Sequence, residues 1–446
     1  MSIAPPPHPP LAAAALVWAR IACLSFGGPA GQIAVMHRIL VDEKRWLGEA
    51  RFLHALNFCM LLPGPEAMQL ATYIGWLLHG VRGALLAGLF FITPGVIAIM
   101  ALSWAYALWG GDGVLGGLFF GLKASVLAIV LQAVVRLARR ALKTGLQRGI
   151  ALAAFIGIFA LAIPFPLIVA AAALIGLALP GLITPHGGAV AAEDGDTVLG
   201  RENGDPGGTG RAALRAGLWA LALWLLPVVL LVLLIPGSIF AAIALFFSKL
   251  AVLTFGGAYA VLAWVAQAAV SEMGWLTPRE MLDGLGLAET TPGPLIMVLQ
   301  FVGFIAALHG AGPGQPLLAA TLGGLLATWV TFAPSFAFIF LGAPFVERLR
   351  QNRALGAALS AITAAVVGVI ANLALWFGVH LLWREVVRVD LGPFALDLPR
   401  LLSFDLAAAG IAGLAVWALL RRGWPMGAVL AGAAGLGGLC RLAGLA

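Results

Sequence analysis

The chain has 446 residues, of which 62% are hydrophobic and only 10% charged, with a net charge of +7 and a mean hydropathy of +1.02. Soluble domains carry about 25% charged residues, so the composition excludes a soluble globular protein and points to a polytopic membrane protein. Its cations are scattered through short loops, which reads as membrane topology and not as a nucleic-acid surface, and the alternating strands of a barrel are absent.

Thirteen apolar spans are expected in chain order, near 11–36, 53–79, 83–109, 113–135, 149–164, 166–184, 212–235, 238–260, 280–308, 316–345, 354–383, 403–420 and 424–442. Most have the roughly 18 or more residues that a bilayer demands of a helix. Met1–Pro10 is Pro-rich, lacks a basic n-region and runs into the first span without a signal-peptide cleavage site. The stretch 185–211, with Glu193, Asp194, Asp196, Glu202 and Asp205 among many glycines, reads as a flexible, exposed linker. The expected organisation is an N-terminal repeat (1–184), this linker, a connector helix (212–235) and a C-terminal repeat (236–446). Cys23, Cys59 and Cys440 lack metal-ligand spacing and read as small packing residues; no metal and no cofactor is expected.

The repeat is visible without a gap. Leu24–Met68 recurs as Leu253–Met297 at a constant offset of 229 residues (255 − 26). Phe26-Gly27-Gly28 matches Phe255-Gly256-Gly257, Trp46-Leu47 matches Trp275-Leu276, and Pro63-Gly64-Pro65 matches Pro292-Gly293-Pro294. What survives is mostly Gly, Pro and Trp, so the shared property is backbone shape. Six spans fall in each half with one connector between them, and an odd connector inverts the second half, as in inverted-repeat transporters. A cytoplasmic N-terminus places most loop Lys and Arg inside. Arg38, Lys44, Arg45, Arg51, Arg384, Arg388 and Arg400 oppose that orientation.

Pro-Gly-Pro inside an apolar span precludes continuous helix, because proline removes a donor and pushes the residue before it out of the α region. Each such span splits into two half-helices, with Pro65 and Pro294 expected at the first position of the second. The amides of Glu66, Ala67 and Met68, and of Leu295, Ile296 and Met297, are then expected without intrahelical partners, at a positive dipole end that attracts anions. All three residues of each tripeptide, Pro63 and Pro292 included, are thus candidate substrate-binding positions. A pair of packing kinks is the plainer reading, weakened by duplication of the tripeptide with its neighbours. Phe26-Gly27-Gly28 and Phe255-Gly256-Gly257 form a second matched pair of breaks, for which tight helix packing is an equal reading.

Few polar groups lie in the spans. Glu66 and Gln69 share a helix face after the first break; Glu289, Thr290 and Thr291 precede the second, and Gln300 follows it. A carboxylate beside an anion site repels the ligand, so Glu66 and Glu289 are candidate proton carriers or ion-pair partners. Lys123 and Lys249 are candidate anion-pairing residues, with snorkelling as the alternative. Asn57 and Asn372 read as interhelical hydrogen-bonding residues. Thr277-Pro278-Arg279-Glu280 reads as a helix start with Pro at N1 and Glu at N3. The cluster of His37, Arg38, Lys44, Arg45, Arg51 and His54 could steer an anion, although lipid headgroups explain such clusters more often. No zinc-protease helix, phosphate-binding loop or nucleophile elbow occurs, so no enzyme is expected.

At these residues the chain resembles the chromate ion transporter (CHR) family in its long, two-domain form. The resemblance rests on Phe26-Gly27-Gly28-Pro29-Ala30-Gly31-Gln32, on Pro63 through Gly75, on Thr254 through Tyr259, on Thr290 through Pro294 and on Ala364 through Ile370. It implies an all-α bacterial inner-membrane protein of two antiparallel homologous domains that extrudes chromate at the expense of the proton-motive force and handles sulfate. Residues read from the sequence alone reach only an inverted-repeat transporter with an anion-suited midplane. Expected partners are chromate or sulfate, protons, the lipid bilayer and a second copy of the chain. A membrane enzyme acting on phosphate headgroups is the alternative of another class, and the Asp-rich metal motifs it needs are missing.

Overall fold

The computed structural model describes residues 7–26, 28–110, 113–183, 197–199, 209–255, 258–310, 312, 314–343, 352–391 and 394–444. Gly27, Gly256, Gly257 and most of the 185–211 segment lie outside them.

The helices are α1 (Leu11–Leu24), α2 (Gly28–His37), α3 (Glu49–Leu61), α4 (Glu66–Trp109), α5 (Gly113–Ala141), α6 (Gly145–Phe159), α7 (Phe165–Ala178), α8 (Thr209–Leu234), α9 (Ile239–Leu253), α10 (Ala258–Ala266), α11 (Pro278–Thr290), α12 (Val298–Gly310), α13 (Pro316–Gly342), α14 (Arg353–Leu382), α15 (Leu406–Val416) and α16 (Met426–Leu442). Helices α4, α5, α8, α13 and α14 are long and apolar enough to cross a membrane. The chain is a multi-pass, helical membrane protein. One departure from an all-helical reading is the antiparallel hairpin of β1 (Val386–Leu391) and β2 (Phe394–Pro399), in which Arg388 faces Asp397 and Val389 faces Leu396.

The duplication extends to irregular backbone. Helix α2 ends in a π-helical turn, Arg38–Glu43, and α10 in another, Gln267–Glu272, at the same offset of 229 residues (267 − 38). Each closes with matching bonds, Lys44 N–H to Ile39 O (2.9 Å) and Trp46 N–H to Leu40 O (2.9 Å), against Met273 N–H to Ala268 O and Trp275 N–H to Ala269 O (both 2.8 Å). Both turns need a left-handed residue, which is Gly274 (φ 62°) in one copy and Arg45 (φ 51°) in the other. Helices α3 and α11 follow at the same offset, each ending at a Pro-Gly-Pro break, and Thr277 and Glu280 cap α11 reciprocally as expected.

The spans expected at 53–79 and 83–109 share α4, which bends at His79 and Gly80. His8 Nε2 donates to Leu78 O (2.9 Å) and His79 Nε2 to Pro9 O (2.8 Å), so the N-terminal segment supplies one donor and one acceptor at the bend. In α8, Pro227 cannot donate to Leu223 O, and the Trp329 indole N–H of α13 fills that acceptor at 3.1 Å.

Two compact units are formed, each drawing on both repeats: residues 1–98, 186–257 and 291–352, and residues 99–185, 258–290 and 353–446. In the first, α13 packs on α8, α9 and α12. In the second, α5 packs on α11, α14, α15 and α16, while α14 covers α6 and α7. Close crossings rest on small residues, as membrane helices require: a Cβ on Gly121 of α5 would lie 1.9 Å from Ala433 O of α16.

Several expectations change. Thr197, Val198 and Leu199 of the expected exposed linker are buried, with Val198 and Leu199 amides bonded to Arg45 O and Trp46 O; an apolar pair with backbone acceptors for both amides docks. Asn57 is exposed, and neither it nor Asn372 makes an interhelical hydrogen bond among the described residues. Part of the basic cluster meets acidic partners: Glu43 pairs with Arg38 (3.7 Å) and also with Arg20 (2.8 Å), and His37 contacts Asp42 and Glu49.

Candidate functional site

In the first unit the breaks of the two repeats close on each other. Gly64 N–H donates to Thr254 O (2.9 Å), and Gly293 N–H donates to Ser25 O (2.8 Å). Both members of the second bond are the repeat equivalents of the first, so the pairing is reciprocal: the Pro-Gly-Pro of each repeat bonds the residue that precedes Phe-Gly-Gly in the other. Ser25 and Thr254 are prepared alike, since each hydroxyl donates to its own helix, Ser25 to Ile21 O (2.7 Å) and Thr254 to Leu250 O (2.6 Å). Each then turns tightly, with Phe26 N–H on Leu24 O and Phe255 N–H on Leu253 O, both 3.1 Å.

Glycine at the centre of each tripeptide is a backbone requirement. Gly64 has φ 124° and Gly293 φ 100°, which disfavour any side chain. A Cβ on Gly64 would meet Gln69 Nε2 at 2.6 Å and Ser335 Oγ at 3.2 Å; one on Gly293 would meet Gly95 Cα of α4 at 3.2 Å.

The leading prolines, Pro63 and Pro292, are both half-buried. Proline has no N–H to give an anion. Their carbonyls face inward instead: Pro63 O accepts from the Gln69 side chain, and Pro292 O lies against α4, 3.0 Å from where a Cβ on Gly95 would sit. Pro63 and Pro292 thus present carbonyl acceptors, not donors, at the break.

The half-helices start one residue later than expected. Pro65 O accepts from Gln69 N–H (3.0 Å), and Pro294 is extended (ψ 133°), so both prolines are N-caps and not first helical residues. After Pro65 a regular α-helix begins at Glu66, leaving the amides of Glu66, Ala67 and Met68 without a carbonyl four residues earlier in the helix. After Pro294 the first turn is 3₁₀ (Leu295–Met297), and Met297 N–H is taken by Pro294 O at 2.9 Å. That tighter turn removes one of the three donors expected in the second copy.

Buried side chains flank both breaks. Gln32 Nε2 donates to Gly293 O, and Gln69 Nε2 donates to Pro63 O (2.6 Å). A carbonyl acceptor fixes which way each amide points, and among the described residues the Oε1 atoms of Gln32 and Gln69 are left buried without a partner, as is Ser335 Oγ. Gln300 donates to Val96 O (2.9 Å) and accepts from Thr328 (3.0 Å), so it is spent on packing. Glu66 opens its helix half-buried. Phe26 is exposed and Phe255 half-buried, while Gly28 is buried at the start of α2 with φ 72°. Thr291 is buried beside the second break.

In the second unit, Thr290 bonds back to Leu287 O (2.8 Å). Glu289 is buried, accepts from the Tyr259 hydroxyl at Oε1 (3.0 Å) and has no partner for Oε2 among the described residues. Lys123 is buried against Asp283 at 3.4 Å. Lys249, by contrast, lies exposed on α9 with no ion pair among the described residues, the placement that snorkelling produces. Ser335, Asp283 and Tyr106 carry no motif in the sequence, and Gln32 and Tyr259 stand out there only as members of longer motifs. A carboxylate inside the apolar span of α11 was the signal for Asp283.

A sequence model of the family described as chromate transporter matches residues 12–177 and 241–439. The two matched segments begin 229 residues apart (241 − 12), the offset of the repeat. The chain is 33% identical to the chromate transport protein of Pseudomonas aeruginosa, over 93% of this chain and 89% of that one. It is 27% identical to the probable chromate transport protein of Synechococcus elongatus, over 89% and 93% of the two chains. The chromate transport protein of Cupriavidus metallidurans is likewise 27% identical, over 90% and 92%. No solved structure matches.

Proposed function

The chain belongs to the chromate transporter family, and from that premise we propose that it exports chromate across the bacterial inner membrane, with the oxyanion held at the first turns of the half-helices behind the paired Pro-Gly-Pro breaks. The family and its named relatives are transporters and not enzymes.

The observation that carries the reading is the combination of two helix N-termini with the unpartnered buried atoms of Gln32, Gln69 and Ser335 beside them. Helix N-termini offer donors and a positive dipole end. Buried polar atoms without partners are costly unless a ligand or water satisfies them. Ser335 Oγ can donate to an oxyanion, and the glutamine carbonyls can accept from water that accompanies it. Reciprocal bonding between repeats supports a two-fold relation between them, and with the connector α8 we infer that the halves are inverted.

Energy is available from the membrane potential, worth about 2.3 kcal/mol per elementary charge per 100 mV, or roughly twice that for a dianion leaving a negative interior. Glu66 and Glu289 remain the candidate proton carriers beside the breaks. Sulfate is the second reading, because neutral amide and hydroxyl donors recognise the shape and charge that tetrahedral dianions share. Uptake of radiolabelled chromate and sulfate into inverted vesicles tests both. Gradient-dependent chromate accumulation that excess sulfate fails to suppress supports chromate as substrate; accumulation of sulfate alone replaces it, and accumulation of neither refutes oxyanion export.

A further inference from the structure

Asp283 makes a contact that the breaks do not require. Carried on α11 in the second unit, it faces Lys123 of α5 with Nζ 3.4 Å from Oδ1, both side chains 7% exposed. The Tyr106 hydroxyl at the end of α4 donates to Oδ2 at 3.0 Å, and the Phe120 ring lies 6.0 Å from the ammonium. Other charges within electrostatic reach are Arg279, Glu280 and Asp405. Arg279 is exposed, Glu280 is committed to the Thr277 cap, and Asp405 pairs with Arg384 (2.9 Å) while capping α15.

As a fastener this pair is poorly made. Charge-assisted bonds are typically 2.7–2.9 Å, and a buried pair repays desolvation only with good geometry and every donor filled. Lys123 presents three N–H donors, and only Asp283 receives one among the described residues. A tetrahedral oxyanion offers several acceptors at once. A dianion seated on Lys123 beside an ionised Asp283 would leave the pocket with two net negative charges, and neutralising the carboxylate as the anion arrives halves that excess.

We propose that Lys123 is an anion-exchange position in which a tetrahedral oxyanion displaces Asp283 from the ammonium, and Asp283 takes up one proton from solvent as it leaves. Lys123 keeps its three protons. The ammonium–carboxylate contact is exchanged for an ammonium–oxyanion contact, and the only covalent change is one proton transfer, in which an O–H bond of solvent hydronium breaks to leave water and an O–H bond forms on Asp283, which Tyr106 retains as its neighbour. This rests on the transport reading. The seated dianion and its proton together carry one negative charge, which an interior-negative potential still drives outward.

Purified full-length protein in detergent, titrated with chromate in weakly buffered solution containing a pH indicator, reads the exchange directly. The parent should take up close to one proton per protein chain as chromate reaches saturation. Asp283→Asn should bind chromate with no uptake. Because that variant strands a buried ammonium, Lys123→Gln combined with Asp283→Asn provides a charge-free pair; it should lose uptake and weaken chromate binding at least tenfold. Parent-like uptake and affinity in the double variant overturn the proposal, as does chromate binding by the parent without proton uptake. Absence of chromate binding by the parent refutes the transport reading itself, and the exchange with it.

Discussion

Replacing Gly64 with alanine tests the break where its geometry is most demanding. At φ 124° the backbone sits where glycine alone is comfortable, and holding another residue there costs about 1–3 kcal/mol. The added Cβ would lie 2.6 Å from Gln69 Nε2, so the amide must swing away from Pro63 O and leave that carbonyl unpaired, about 1–3 kcal/mol more. Gly64→Ala should therefore destabilise by roughly 2–6 kcal/mol, and Gln69→Leu, which forfeits only the hydrogen bond, by about 1–3 kcal/mol. Met68→Leu, at a fully buried site in the same turn, conserves volume and should cost less than about 1.5 kcal/mol. Thermal unfolding in detergent ranks the three, and binding of radiolabelled chromate reads the site. Gly64→Ala should weaken chromate at least about tenfold, the equivalent of 1.4 kcal/mol, while Met68→Leu binds as the parent does. Parent-like affinity in Gly64→Ala would place the anion elsewhere, and a stability equal to that of Gln69→Leu would refute the strain argument.

The carboxyl groups near the breaks make a separate prediction: Glu66→Gln and Glu289→Gln should each abolish proton-driven chromate accumulation in vesicles and spare chromate–chromate exchange, whereas unchanged pH dependence in both assigns them to packing. If the second repeat is inverted, reporter fusions after Trp109 and after Gly310 should both report the periplasm, and a cytoplasmic signal from either overturns the thirteen-span count.

How much was legible in the sequence followed from which residues constrain the backbone. The offset of 229 and both Pro-Gly-Pro breaks were readable because Gly and Pro leave few conformations open. The paired π-turns were hidden, since Arg38–Glu43 and Gln267–Glu272 share little beyond Val41/Val270 and Glu43/Glu272. The hairpin had a signal, the alternation of Val387, Arg388, Val389 and Asp390, too short to stand out between apolar spans. Lys123 and Lys249 looked equivalent in sequence, and only burial against Asp283 separates them. Which Pro-Gly-Pro would bond which Phe-Gly-Gly was beyond reach, because either partner satisfies an amide.

That exchange bears on ancestry. Since Gly64 is satisfied by Thr254 and Gly293 by Ser25, neither repeat supplies the acceptor for its own break. A single-repeat ancestor would have carried an orphaned amide at membrane depth until a second copy arrived to accept it. Pairing of separate half-length chains, in other words, is the condition from which gene fusion could begin.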